Sequence, residues 1–379
     1  MSGCRVPAST RNAEPTDMNG VLCVQRDIGL LTNVRMGVEL AVGLAHLTGR
    51  RLWYSFDQPI PPAPRSSIAP HERGRPTTVL DLFELPVPIV HADEFADMDT
   101  TGTETVDWPE FTTAVCVVDG AIDLEDPEFR DFANGRSNFV RPPQSDAPIV
   151  SITGRPLGFY SYFFRASPPT RRALHAVIRG VRPRRPYVEL ASRISRDLGH
   201  HNAVHLRRSD LTIGIPAYAN VGPAAIASSL AGQLPTDVPL LVCSELRAND
   251  EVFDPLRQRF DTLVFANELV LGEHRDSFAM LPRHDDNALG VVTQEIAARA
   301  DRFVGTIGST FTALIHRNRL ARDPDEPFRF TADYTPPGPV FRNGQFVEVA
   351  EGSYSWNRLR YAMSPDVLAW FREWPEAVW

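Results

Sequence analysis

The sequence contains few cysteines and no long apolar run. Its four cysteines are scattered without a closely spaced pair, so neither a disulfide framework nor a zinc site is expected. Cys23, Cys116 and Cys243 lie in short apolar runs that predict buried strands. No stretch approaches the roughly 18 uninterrupted apolar residues of a membrane-spanning helix, and residues 1–20 lack the apolar core of a signal peptide. We therefore expect a cytoplasmic protein without a membrane span.

The charge balance argues against nucleic-acid binding. The formal net charge is -8, and the chain has no repeats in which aromatic and basic residues alternate. Residues 165–185 are a local exception, with seven arginines and no acidic residue. We interpret this stretch as a solvated surface connector; an anion-binding segment is the alternative.

Hydrophobic periodicity predicts an α/β protein of two domains. A length of 379 residues fits two domains, and both halves alternate apolar strands with amphipathic helices, which is typical of parallel sheets covered by helices. The predicted domains are 1–186 and 187–379, joined at the Arg- and Pro-rich stretch 179–186. The predicted strands are 19–26, 51–56, 201–207, 238–244, 262–266 and 302–306. The predicted helices are 34–48, 187–198, 253–260, 288–300, 311–319 and a closing helix at 364–374. The proline-rich segment 57–77 is expected to be an extended surface loop.

The segment His205-Leu206-Arg207-Arg208-Ser209-Asp210 ends a predicted strand. His205 and Arg207 are two residues apart, so on a strand they project from the same face. A guanidinium is a flat fork of donors that matches phosphate oxygens, so Arg207 suits a leaving diphosphate that gains negative charge. The alternative is structural: Arg207 and Asp210 form a surface ion pair and His205 is a core histidine.

A second candidate anion site is the segment 305–311, with the sequence GTIGSTF. A strand, a turn of small residues and then a helix present free N–H groups and a helix dipole to an anion. Ser309 and Thr310 could donate hydrogen bonds to phosphate, although both residue types also serve as ordinary helix caps. No lysine follows the glycines, so this is not a Walker loop.

Taken together, these segments make the chain resemble the fucosyltransferase superfamily of protein O-fucosyltransferases, alpha-1,6-fucosyltransferases and nodulation fucosyltransferases. HLRRSD is similar to the family's His-x-Arg-Arg-x-Asp block, and RADRFVGTIGSTFTALIHRNR to its later Ser-Ser/Thr-Phe-Thr block. GLLTNVRMGVELAVGLAHLTGRRL is similar to the family's opening loop and helix, and VLDLFELPVPIVHADEF to a further family stretch. The four blocks occur in the family's order and span residues 29–319.

The resemblance implies a GT-B fold, in which two Rossmann-like domains face a shared cleft. It also implies inverting transfer from GDP-fucose without a metal ion, and no Asp-x-Asp motif stands beside a predicted strand end. By position, Arg207 would bind the β-phosphate, His205 would support the guanosine side and Asn33 would lie near the fucose. The remaining candidate donor contacts are Arg208, Asp210, Ser309, Thr310 and Phe311.

The chain departs from the family pattern at two places. Thr293 occupies the position of an aspartate that is thought to read guanine, and the nearest carboxylate, Glu295, is the candidate replacement. The neutral run 211–217 stands where core-type enzymes have a glutamate base, so Asp27, after the first strand, is the candidate base. The alternative is a reaction without a base, through a loose, oxocarbenium-like path, as the resemblance implies for other family members. These departures leave two alternatives: a non-catalytic nucleotide-sugar or glycan-binding protein, or a transferase with another nucleotide sugar. The acceptor hydroxyl could belong to a small molecule, a glycan or a peptide, and the composition favours a bacterial enzyme.

Overall fold

A computed structural model gives the structure of most of the chain. It describes residues 20–25, 29–62, 66–69, 71, 74–107, 113–118, 137–153, 163–165, 167–208, 221–306, 309–320, 322–323, 340–342 and 345–347. The predicted closing helix at 364–374 and the neutral run 211–217 lie outside these residues. Within the described ranges, no helix combines the length and the apolar character needed to cross a bilayer.

Strands and helices alternate in both halves. The strands are β1 (Val21–Val24), β2 (Arg51–Trp53), β3 (Phe83–Glu84), β4 (Glu104–Asp107), β5 (Thr113–Val117), β6 (Ser137–Val140), β7 (Ile149–Thr153), β8 (Phe163–Arg165), β9 (Arg182–Pro183), β10 (Asn202–Leu206), β11 (Leu240–Ser244), β12 (Leu263–Phe265), β13 (Phe303–Gly305), β14 (Val340–Arg342) and β15 (Gln345–Val347). The α-helices are α1 (Leu31–Thr48), α2 (Val79–Leu82), α3 (Ala92–Ala96), α4 (Pro168–Arg179), α5 (Arg185–Leu198), α6 (Pro223–Ala231), α7 (Asp254–Arg257), α8 (Ala266–Glu268), α9 (Arg275–Ala279), α10 (Asp286–Ala297) and α11 (Thr310–Leu320). A 3₁₀ turn at Glu251–Phe253 and a π turn at Leu269–Glu273 complete the set.

Local sequence signals account for the longer helices. Pro186 stands in the first turn of α5, where its missing N–H costs nothing, and Tyr187, Leu190 and Ile194 recur at helical spacing on the buried face. The carboxylate of Asp285 caps α10 by accepting hydrogen bonds from the N–H groups of the second and third helical residues, both at 3.0 Å. Gly49 ends α1 with φ 61°, a conformation that glycine adopts without strain.

The first sheet is parallel and has the order β2-β1-β7-β4. All four residues of β1 are buried, as expected for a strand covered on both faces. In the observed register Leu22 pairs with Leu52 on one side and with Val150 on the other.

The second sheet is also parallel, with the order β12-β11-β10-β13. In chain order these are the third, second, first and fourth strands, so the direction of winding reverses between β10 and β13. Open α/β sheets bind ligands beyond the carboxyl ends of the strands at such a switch point. Arg207 follows β10 and Ser309 follows β13, so both predicted anion-binding segments lie at this point.

Smaller sheets complete the topology. Strands β6, β5 and β8 form a parallel sheet in that order, and β3 pairs antiparallel with β9, as β14 does with β15. The β3–β9 pair places the short segment between α4 and α5 beside β3.

The two halves share their main hydrophobic core. Leu22 and Val150 of the first sheet belong to the same buried cluster as Leu241 and Phe303 of the second. Helix α1 packs against both α4 and α11, while α5 packs on α10. The predicted α/β architecture with two Rossmann-like parallel sheets is confirmed, whereas the division of the chain at residue 186 stays a prediction.

The arginine-rich stretch 165–185 differs from the expected connector. It contains α4 and β9, and α4 packs against α1. Leu174, Ile178 and Val181, spaced four and three residues apart, are buried. The apolar stripe is thus present in the sequence, but the arginines between its members dominate the composition of the stretch.

Candidate active site

A cleft opens where the two halves meet at the switch point of the second sheet. Its volume is about 400 Å³, within the range of small-molecule sites. Its walls come from the start of α1 in the first half, and from the ends of β10 and β11, one face of α10 and the start of α11 in the second. The segments around Arg207 and Ser309 therefore border one space.

Arg207 lies at the carboxyl end of β10 and lines this cleft. Its backbone N–H donates a hydrogen bond to Oγ1 of Thr306, 3.0 Å away, and that hydroxyl donates to the carbonyl of His205 at 2.9 Å. Thr306 is fully buried and follows β13. It therefore joins the backbone of Arg207 to the chain directly after β13.

His205 shares the cleft with Arg207, as the two-residue spacing on a strand predicts. Its Nδ1 lies 2.8 Å from the hydroxyl of Thr312, and its ring lies 4.7 Å from the ring of Phe311. Burial, and secondarily the charge of Arg207, lowers the pKa of His205 to about 3. At neutral pH the imidazole is therefore uncharged, and Arg207 is the positive group of the pair.

The amino end of α11 forms another wall of the cleft, next to His205. Ser309, Thr310 and Phe311 all line the cleft, and the first turn of α11 carries no acidic residue that would oppose an anion. Ser309 is 0% exposed, and among the described residues its hydroxyl has no hydrogen-bond partner. Buried hydroxyls are nearly always paired, so this one is available to a ligand in the cleft.

Asn33 connects the first half of the chain to this wall. Its Oδ1 accepts a hydrogen bond of 2.8 Å from the hydroxyl of Thr310. Gln294 on α10 makes a second connection by donating to the hydroxyl of Thr32 at 3.0 Å. The start of α1 is thus held against both α10 and α11 at the rim of the cleft.

Two candidate donor contacts do not line the cleft. Arg208 follows Arg207 directly, and its guanidinium donates to the carbonyl of Val221 at 2.8 Å. Glu295 is buried on α10 and pairs with Arg299 at 2.6 Å, with further contacts to Asn318 and Arg322. Neither arrangement supports the donor contact expected from the sequence.

Helix geometry explains why Glu295 does not line the cleft. Residues two positions apart on an α-helix are separated by about 200° around its axis. Because Thr293 lines the cleft, Glu295 faces away from it. Thr293 is 4% exposed, and its hydroxyl has no partner among the described residues. The wall that α10 contributes is therefore neutral at this position.

Further residues of the cleft were not singled out from the sequence. Glu245 follows β11, and its carboxylate accepts a hydrogen bond from the backbone N–H of Arg208 at 2.6 Å. Asp286 accepts from the hydroxyl of Ser66 and the N–H of Ser67, at 2.7 and 3.2 Å. The position of Glu245 at a strand end is a signal that sequence reasoning could have used. The candidates Asp27 and Asp210 lie outside the described residues.

The residues that the structure describes include no group of three or more His, Cys, Asp or Glu side chains that could hold a metal ion. Cys243 borders the cleft but is buried, and burial raises the pKa of its thiol to about 12. It is therefore a neutral thiol at physiological pH rather than a nucleophile.

No protein-family model and no curated protein matches the chain. Among solved structures, its fold is similar to that of POFUT1 in complex with GDP, at 16% identity and a TM-score of 0.46 over 83% of this chain and 99% of that one. POFUT1 in complex with GDP-fucose aligns at 16% identity and a TM-score of 0.45, covering 84% and 99%. The fucosyltransferase NodZ from Bradyrhizobium aligns at 16% identity and a TM-score of 0.41, covering 78% and 92%. The predicted likeness to fucosyltransferases is confirmed at the level of the fold.

Proposed function

We propose that the protein is an inverting glycosyltransferase that transfers fucose from GDP-fucose to an acceptor hydroxyl. The observation that carries the proposal is the placement of Arg207 and the amino end of α11 on one cleft. A guanidinium and a helix N-terminus are two independent ways to stabilise phosphate charge. Their convergence at a switch point suits a nucleotide diphosphate.

The proposed reaction uses this charge where it is needed. The acceptor oxygen attacks the anomeric carbon from the face opposite the diphosphate, and the bond from that carbon to the diphosphate oxygen breaks. The bonding electrons pass to the departing diphosphate, whose added charge meets Arg207 and the first turn of α11. The proton of the acceptor hydroxyl leaves to a base, for which Asp27 remains our candidate, or to water.

The neutral His205 is proposed to position the nucleoside side of the donor. Because its Nδ1 is engaged with Thr312 and its ring lies against Phe311, the orientation of the imidazole is fixed before a ligand arrives.

The choice of GDP-fucose rests on the sequence blocks around Arg207 and Phe311. Because Thr293 occupies the position of an aspartate that is thought to read guanine in the family that the sequence resembles, the nucleotide should be tested directly. A thermal-shift panel of GDP, UDP, ADP and dTDP is the first experiment. A ligand at about 100 times its Kd stabilises the fold by about 2.7 kcal/mol. We expect this shift with GDP. A shift with one of the other nucleotides and not with GDP would mean that the donor carries that nucleotide instead of GDP.

Catalysis is tested by incubating the protein with GDP-fucose and measuring GDP release, first without an acceptor and then with small-molecule, glycan and peptide acceptors. Slow hydrolysis without an acceptor, and faster release with one class of acceptor, would support the transferase. Tight binding of GDP-fucose in calorimetry with neither hydrolysis nor transfer would instead identify a nucleotide-sugar-binding protein.

A further inference from the structure

Helices α1 and α11 belong to different halves of the chain and begin at the same cleft. Leu31 and Asn33 of α1 line it, as do Thr310 and Phe311 of α11. The two helices are in contact and are joined at the cleft by the hydrogen bond from Thr310 to Asn33. Two helix amino ends, each with a partial positive charge, are thus directed at one space.

A second connection joins the same helices deeper in the protein. Arg317 of α11 donates to the carboxylate of Glu39 on α1 at 2.9 Å. Glu39 lies six residues after Asn33, and Arg317 lies seven after Thr310, so both are about 10 Å along their helices at a rise of 1.5 Å per residue. Contacts at matching depth mean that α1 and α11 run side by side in the same direction.

The deeper connection is a buried triad of Arg35, Glu39 and Arg317. The side chains of Glu39 and Arg317 are 1% and 6% exposed, and Arg35 lies 3.4 Å from the Glu39 carboxylate. Arg35 also donates to the carbonyl of Val181, at the junction of the two halves, at 3.1 Å. The triad therefore links that junction, α1 and α11 in one chain of contacts.

A buried ion triad is a weak source of stability, because removing the charges from water offsets much of their attraction. It does restrict geometry, since an apolar contact tolerates sliding whereas a buried guanidinium must keep facing its carboxylate. Parallel helices also have repelling dipoles, and the carboxylate of Glu39 between two guanidinium groups holds them together.

We propose that the triad of Arg35, Glu39 and Arg317 consists of positioning residues for the transfer step. It sets the distance between the amino ends of α1 and α11, and thereby the geometry of the groups that surround the diphosphate. This inference rests on the proposed function. The triad itself does not border the cleft, so it acts only through the two helices.

The test replaces the whole triad with apolar residues of similar size, as Arg35→Met, Glu39→Leu and Arg317→Met in one variant. Such a replacement commonly keeps or raises stability, whereas Glu39→Gln alone would leave two buried guanidinium groups without their carboxylate. We expect an unchanged or higher Tm, a kcat lowered on the order of 10²-fold and a KM for the donor that changes much less. If the triple variant does not fold, Arg317→Lys, which keeps the charge but loses the planar fork, takes its place with the same readouts.

The control changes Arg185 and Glu189 of α5 to glutamine; they form an exposed ion pair in which Nε of Arg185 lies 2.6 Å from Oε1 of Glu189. This double variant removes one positive and one negative surface charge without changing α1 or α11, and it should retain wild-type kinetics. GDP affinity, measured by calorimetry, separates the two proposals. A wild-type protein that binds GDP but transfers nothing contradicts the transferase, and the triad is then judged by the GDP affinity of the triple variant. A folded triple variant with wild-type kcat and wild-type GDP affinity overturns the positioning role.

Discussion

The hydroxyl of Thr306 supports the backbone of Arg207 directly, by accepting its N–H at 3.0 Å. Arg207 follows β10 and Thr306 follows the neighbouring strand β13, so this bond crosses the switch point. The same hydroxyl donates to the carbonyl of His205. One buried side chain therefore holds the backbone of the arginine against the end of the strand that precedes α11.

Thr306→Val should weaken both the fold and ligand binding. Valine has nearly the same shape but cannot accept the Arg207 N–H, and an unpaired buried polar group costs about 1–3 kcal/mol. Chemical denaturation should show a loss of that size, and calorimetry should show weaker GDP binding. Thr306→Ser keeps the hydroxyl and should lie close to wild type in both measurements; equal behaviour of the two variants would argue against the bond.

Arg207→Ala should nearly abolish transfer while leaving the protein folded. Arg207 is only partly buried, and the loss of one donor to a developing charge typically costs on the order of 10²–10³ in kcat. The measurement is turnover with GDP-fucose, together with a thermal melt to verify folding. Arg207→Lys, which keeps the charge but not the fork, should lie between the two. Wild-type turnover in the alanine variant would remove the basis of the proposed function.

Ser309→Ala should reduce ligand binding without reducing stability. The hydroxyl of Ser309 is buried without a partner among the described residues, so its removal breaks no hydrogen bond within that part of the chain. Loss of the proposed hydrogen bond to the diphosphate should weaken GDP binding by about 0.5–1.5 kcal/mol. Thr312→Val provides the contrast, because the Thr312 hydroxyl is engaged with His205 and its loss should lower the free energy of unfolding. A clear loss of stability in Ser309→Ala would mean that the hydroxyl has an internal partner.

His205 should make the protein less stable in mild acid. Its pKa is lowered from 6.5 to about 3 in the folded protein, so below pH 6.5 the unfolded chain binds a proton that the folded one excludes. The stability from this group is complete above pH 6.5 and decreases as the pH falls towards 3, with a slope of up to about 1.4 kcal/mol per pH unit. Urea titrations at pH 7, 6 and 5 measure the slope. The free energy of unfolding of His205→Gln should lack this pH-dependent component. Equal slopes of that free energy against pH in the two proteins would exclude a contribution from His205.

Much of the second half is predictable from its apolar runs. The strand expected at 201–207 is β10, and the helix expected at 311–319 is α11 with one residue more at each end. The alternation of side chains along a strand also places His205 and Arg207 on one face. Applied one residue further, the same rule directs Arg208 away from the cleft, where its side chain is observed.

Other features depend on contacts that no local pattern contains. The buried pairing of Glu39 with Arg317 joins residues 278 positions apart, and each side chain alone resembles an ordinary charge on a helix surface. The capping of α10 by Asp285 is visible locally, but the same carboxylate also accepts the N–H of Thr77 from the proline-rich segment at 3.1 Å. Such contacts appear only when the two halves are packed together.

The common hydrophobic core has a consequence for how the protein loses its structure. Because Leu22 and Phe303 belong to one buried cluster, melting either half would expose apolar surface on the other. The two sheets should therefore denature cooperatively, as a single heat-absorption peak in scanning calorimetry. Two separable peaks would contradict this. A fragment that retains only the strands around Arg207 would keep residues that line the cleft but lose the packing that holds them in place.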